Sequence, residues 1–142
     1  MKLALSSAVI ALTGALTLAA CAPTQTPVAS QKSAPNTIVT AKGGFTGDND
    51  HVVTGNAIVS RVNGQWVVTL DEGFTLDGAP DPKVALGDGK YVKGTILGEL
   101  KNLKGTQSYI LPANLDIGDY NQVYIWCEKF SVSLGHADLT LI

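Results

Sequence analysis

Methionine occurs once in this 142-residue chain, as the initiator, and histidine and cysteine occur twice each. Charged residues make up 15% and aromatic residues 6%. Each shortage excludes some chemistry. His51 and His136 are the only histidines, so a Ser-His-Asp arrangement would have to use one of them, and neither G-x-S-x-G nor H-E-x-x-H occurs. Without C-x-x-C-H there is no covalent c-type haem. A blue-copper centre takes one cysteine, two histidines and a weak axial ligand that is usually methionine. Removing Met1 with the N-terminus would leave Cys127, His51 and His136 but no methionine. "GDGK", Gly87 to Lys90, lacks both the preceding glycine and the following Ser/Thr of a P-loop and reads as a hairpin turn. Basic residues form no stripe and are not interleaved with aromatics, so nucleic acid is not an expected partner. No motif points to an enzyme.

The N-terminus carries a clear pattern. "MKLALSSAVIALTGALTLAAC" has one positive charge at Lys2, an uncharged and mostly apolar run, then small residues, the order of a secretory signal. A run from Leu3 to Ala20 is just long enough to span a bilayer, but serine, threonine and glycine interrupt it. Its end, "LAAC", resembles the lipobox of bacterial lipoproteins. That resemblance implies a signal peptide at 1–20, cleavage before Cys21 and acylation of Cys21, hence a membrane anchor with palmitate-type chains. With Ala22 rather than aspartate after the cysteine, the same resemblance implies an outer-membrane lipoprotein facing the periplasm, in a cell with two membranes.

Residues 21–37 contain "APTQTPVASQKSAPNT", rich in Pro, Thr, Ser, Ala and Gln. Such a segment buries too little apolar surface to offset its ordering entropy and reads as a flexible linker, about 20–25 Å in root-mean-square span. Residues 38–142 then form one domain with room for one core. Without Lys2 the mature chain has a net charge of about −3.

Short strands punctuated by turns dominate from Val52 onward. Asn63-Gly64 between β-rich runs predicts a two-residue type I′ hairpin. In that register Val62 opposes Gln65, Arg61 opposes Trp66, Val59 opposes Val68 and Ala57 opposes Leu70. One face then gathers Ala57, Val59, Trp66, Val68 and Leu70, and the Arg61 cation lies over the Trp66 ring. Further strands are expected at "FTLD", "KVAL", "TILGEL", "QSYIL", "QVYIWCEKFSV" and "ADLTLI", with turns at "DGAPDP", "GDG", "KGT" and "DIGDY". About eight short strands make an all-β, antiparallel β-sandwich the expected fold.

The segment "VYIWCEKFSV" poses the functional question, because Cys127 is the only free thiol once Cys21 is acylated. Intramolecular disulfide exchange needs a second sulfur and is excluded. Read as one regular strand, the segment would send Glu128 into the core, at a cost of several kcal/mol for an unpaired carboxylate. A bulge near Glu128-Lys129 would shift the phase and place Val123, Ile125, Cys127, Phe130, Val132 and Leu134 inside. Cys127 is then either a small core hydrophobe or a working thiol. "DNDH" (Asp48 to His51) has a calcium-loop flavour without the glycine and distal glutamate of an EF-hand, and reads as turn capping.

"GGFTGDNDHVVTGNAIV", "FTLDGAPDPKVAL" and "LGELKNLKGTQSYILPANLDIGDYNQVYIWCEKFSVSLGHADL" resemble, in order, the DM-thirteen (electron-transfer DM) domain over about Gly43 to Leu139. The resemblance implies a β-sandwich and a redox role resting on Cys127. His51 stands where the family often has a histidine, Asp81 falls in a matching segment, and both are candidate binding residues. His136 falls where the family commonly has a hydrophobic or aromatic residue. The sequence requires no cofactor. Haem on Cys127 or His51, or copper, are the two that the composition allows. Two functions follow as expectations: an envelope lipoprotein with a redox or electron-transfer accessory domain, met by an unknown redox or envelope protein, or a non-catalytic binding module in which Cys127 is core.

Overall fold

The computed structural model describes residues 35–142, so the signal peptide, Cys21 and nearly all of the expected linker lie outside the described residues. Eleven strands form there: β1 (Thr37–Gly47), β2 (Val53–Thr54), β3 (Asn56–Val62), β4 (Gln65–Leu70), β5 (Thr75–Leu76), β6 (Pro82–Gly87), β7 (Gly98–Glu99), β8 (Gln107–Ile110), β9 (Gln122–Cys127), β10 (Val132–Asp138) and β11 (Thr140–Leu141). The excess over the eight expected comes from β1, from β2 standing apart from β3, and from the division of "QVYIWCEKFSV" into β9 and β10. Every pairing among them is antiparallel, in the order β7-β6-β9-β10-β1-β3-β4-β8, with β11 also on β1 and β2 paired with β5. The fold is the expected all-β sandwich.

β1 is the longest strand, and no strand was expected anywhere along it. Lys42, Gly43 and Gly44 interrupt its apolar alternation, which hides it from a pattern search. Tertiary contact explains Gly43. Residues Thr37 to Gly44 pair with β3, whereas Phe45 to Gly47 pair with β10, so β1 passes from one sheet to the other at the glycine pair. A Cβ on Gly43 would collide with the Asp138 backbone carbonyl.

The β3–β4 hairpin has the predicted register, from Val62↔Gln65 at the turn to Ala57↔Leu70 at the far end. Asn63 and Gly64 have φ of 49° and 86°, the type I′ signature. The Arg61 guanidinium lies 5.5 Å from the Trp66 ring centroid. Ala57, Val59, Val68 and Leu70 are buried against Val84, Leu86, Val123, Ile125 and Ala137 of the other sheet, with Phe74 between the layers in the same cluster. Each fully buried Val, Leu, Ile or Phe contributes about 1.5–3 kcal/mol.

The segment "QVYIWCEKFSV" differs from its expected form. It is two strands, β9 and β10, joined by a tight turn over residues 128–131, in which the Ser131 N–H donates to the Glu128 carbonyl and Ser131 takes φ of 54°. Glu128 stays out of the core because the chain reverses there. Cys127 does face the interior with Val123 and Ile125, as expected, but Phe130 is 62% exposed and Val132 lies at the surface. The turn lacks glycine, proline and asparagine, and Phe130 made it look like strand. A bulge is present, but it falls at Leu134: Ser133 opposes Trp126, Gly135 opposes Ile125 and His136 opposes Tyr124.

Candidate functional site

The bulge at Leu134 determines what the outer face of the β6-β9-β10 sheet can do. In an unbroken strand Ser133 and His136, three positions apart, would point to opposite faces. The extra residue shifts the phase, so Ser133 beside Trp126 and His136 beside Tyr124 stand on the same outer face. These four side chains floor a cleft of about 380 Å³. Two loops wall it. From one side the 88–91 turn brings Lys90 and Tyr91, and the Tyr91 ring stacks on Trp126 with centroids 3.9 Å apart and planes 12° from parallel. From the other side the β1–β2 turn brings Asp48.

Asp48 is held firmly. Its carboxylate accepts from Ser133 Oγ at 2.5 Å and from His136 Nδ1 at 2.9 Å. The backbone N–H of Asp48 donates to the Leu134 carbonyl, and Asn49 Nδ2 donates to the Ser133 carbonyl at 2.8 Å. The turn itself carries φ of 49° at Asn49 and 65° at Asp50, two adjacent non-glycine residues in the left-handed region. Such strain persists only where surrounding contacts over-determine it, and the four hydrogen bonds to β10 provide that hold. Because a carboxylate only accepts, His136 donates through Nδ1, and in the neutral ring Nε2 is then the acceptor. The His136 ring stacks beside Tyr124 at 5.6 Å, and the Tyr124 hydroxyl donates to Gln122 Oε1. Burial pushes the Tyr124 hydroxyl pKa up, and the charges of Asp48 and Asp138 add to that.

Cys127 lies one residue beyond Trp126 on β9 and on the opposite face. It is 1% exposed, packed in the core cluster, and the only cysteine among the described residues. The expected binding residues lie elsewhere and are not brought together by any contact with each other. His51 Nδ1 bonds to Asp77 Oδ1 at 2.9 Å, and the other Asp77 oxygen accepts from the Val52 N–H, which pins the chain entering β2. Hydrogen bonds from His51 and then Val52 hold the Asp77 carboxyl below its ordinary pKa. Asp81 pairs at 2.9 Å with Lys83, which also bonds to Glu99. Lys83 is 8% exposed, and hydrogen bonds to Asp81 and then Glu99 raise its pKa. His51 and Asp77 thereby join the approaches to β2 and β5, whereas Asp81 pairs locally with Lys83, which in turn reaches Glu99 on β7. Among the described residues no three His, Cys, Asp or Glu side chains are grouped to hold a metal ion, so Cys127, His51 and His136 do not form the copper trio that composition allowed. For haem, Cys127 faces a closed core, whereas His51 is tied to Asp77.

The residues of the cleft were passed over in the sequence because their partnerships are long-range: Asp48 and His136 are 88 positions apart. Asp48 looked like a turn cap, which its backbone is: the His51 N–H donates to the Asp48 carbonyl. Its side chain does different work. Residues 44–139 match the family model described as Electron transfer DM13. No curated protein and no solved structure matches the chain.

Proposed function

The chain belongs to the electron transfer DM13 family, and from that premise we propose that it is an envelope lipoprotein whose β-sandwich is an electron-transfer accessory domain using Cys127. One observation carries the proposal: the sole thiol of the described domain adjoins, through a single peptide link, the Trp126–Tyr91 stack in the surface cleft. Reactive thiols that attack soluble partners sit in partly exposed, electropositive sites, and Cys127 is enclosed. Direct thiol–disulfide exchange is therefore disfavoured, and the burial supports a mode in which an electron leaving Cys127 passes by way of the adjacent aromatic pair to an oxidised redox partner, which is reduced as the thiol is oxidised. The lipobox supports an anchor at Cys21 in the outer membrane, with the domain facing the periplasm toward a redox or envelope partner.

A second reading has its own support. Burial of Cys127 in the core cluster also suits a non-catalytic binding module, with the thiol as packing and the cleft as the working surface. Protein purified from its own host separates the two. A visible absorbance band, or a Cys127 thiol whose oxidation state, read by labelling after unfolding, changes reversibly with added oxidant and reductant, supports the electron-transfer reading. A featureless spectrum together with a Cys127 thiol that stays reduced throughout refutes it. In the same preparation Cys21→Ser should block processing or move the protein from the detergent phase to the aqueous phase. A processed Cys21→Ser protein still in the membrane defeats the anchor.

A further inference from the structure

The outer-face cleft has unspent binding capacity, and its chemistry selects a ligand class. Its one carboxylate, Asp48, is committed to two donors, Ser133 and His136. Asp138 on the same face accepts from Gln122 Nε2 at 2.6 Å. Among the lining residues, His136 Nε2, Lys90 Nζ and the Tyr91 hydroxyl have no partner within the described residues. Beside them lies the apolar ring surface of Tyr91 and Trp126, both half-buried at the cleft wall and floor. The two rings stack on each other, and both residues still line the cleft.

We propose that this cleft binds a saccharide. A sugar ring has an apolar face of C–H groups that lies on an aromatic ring, and hydroxyls that both donate and accept around its edge. One hydroxyl donates to His136 Nε2, which Asp48 holds in the accepting tautomer, and neighbouring oxygens accept from Lys90 and Tyr91. A carboxylate-bearing aromatic ring also stacks, but its carboxylate presents only acceptors to Nε2, and it lacks the ring of hydroxyls that would meet His136, Lys90 and Tyr91 together. The cleft lies open across the sheet between two loops, so an extended chain of sugars passes over it without having to be engulfed. The strained Asn49–Asp50 turn has a purpose in this arrangement, because it delivers the carboxylate that orients His136. Nothing in the inference depends on Cys127 or on the anchor.

The test uses the full chain in a detergent without a sugar headgroup, with the indole N–H resonances of Trp66 and Trp126 as reporters, assigned through Trp66→Phe. Chitotriose and maltotriose are titrated separately, and 4-hydroxybenzoate serves as the aromatic acid. At least one saccharide should move the Trp126 resonance saturably and leave Trp66 in place. His136→Ala and Tyr91→Ala should each weaken that binding about tenfold. Lys90→Ala, an exposed change that leaves the fold alone, should weaken it several-fold and guards against loss of folding in the other two. The proposal is overturned if neither saccharide moves the Trp126 resonance at tens of millimolar, if Lys90→Ala and His136→Ala both bind like the parent, or if only 4-hydroxybenzoate binds.

Discussion

Replacing Cys127 by alanine measures how far the thiol is a packing atom. The side chain is 1% exposed, on β9 between Pro82 of β6 and Val132 of β10, and it faces the same core as Val123 and Ile125. Alanine removes one heavy atom from that core. The lost transfer free energy is about 0.8 kcal/mol, as for a buried methylene. The small cavity left between two β-sheets, which relax little, brings the total to about 1–2 kcal/mol. For a domain of this size that lowers Tm by about 5–15 °C. Serine keeps the volume but puts a hydroxyl among apolar neighbours, and an unpaired hydroxyl there costs about 1–3 kcal/mol. The expected order is therefore wild type, then alanine, then serine, read by urea denaturation followed by circular dichroism. An alanine variant with unchanged stability, or a serine variant more stable than alanine, would refute the packing argument and point to a polar or ligand-bound thiol. If both variants remain folded and both lose a redox signal that the parent shows, the thiol works as well as packs.

Two further outcomes follow from local geometry. Gly64→Val should cost about 1–3 kcal/mol in a thermal melt; no atom lies within 4 Å of a Cβ built there, so the loss would come from the φ of 86° alone, and Gly64→Asn should recover most of it. The carboxyls of Asp71 and Asp77 lie below their ordinary pKa of 3.8. For Asp71, burial pushes upward but the hydrogen bonds from Asn56 outweigh it; for Asp77, the bond from His51 leads. A carboxyl depressed on folding contributes stability that is present above its unfolded pKa and lost as pH falls through the folded value. Stability should therefore drop below about pH 4, and Asp77→Asn should flatten that acid limb. An acid limb equally steep in Asp77→Asn would show that the His51–Asp77 clamp does not contribute.

The sequence by itself was enough for what rests on neighbours along the chain. Asn63-Gly64 can turn in only one common way between β-rich runs, and alternation then dictates which of Ala57, Val59, Val68 and Leu70 face inward. Three ordered segments were enough to identify the family, and the matched residues extend over the domain. What needed the tertiary structure was anything involving partners far apart in the chain. β1 is a strand because two sheets share it, although its glycines argue against one. The residues Glu128 to Ser131 turn although Phe130 gives them the look of a strand, because β9 and β10 gain a full ladder by folding back. His136 could not be read as a site residue, since its orientation depends on a bulge at Leu134 that no local pattern marks. Its partner Asp48 reaches it only because a strained turn on β1's far end is tied down to β10. A period of two specifies a face only while the ladder is unbroken, and here the break in the ladder makes the cleft.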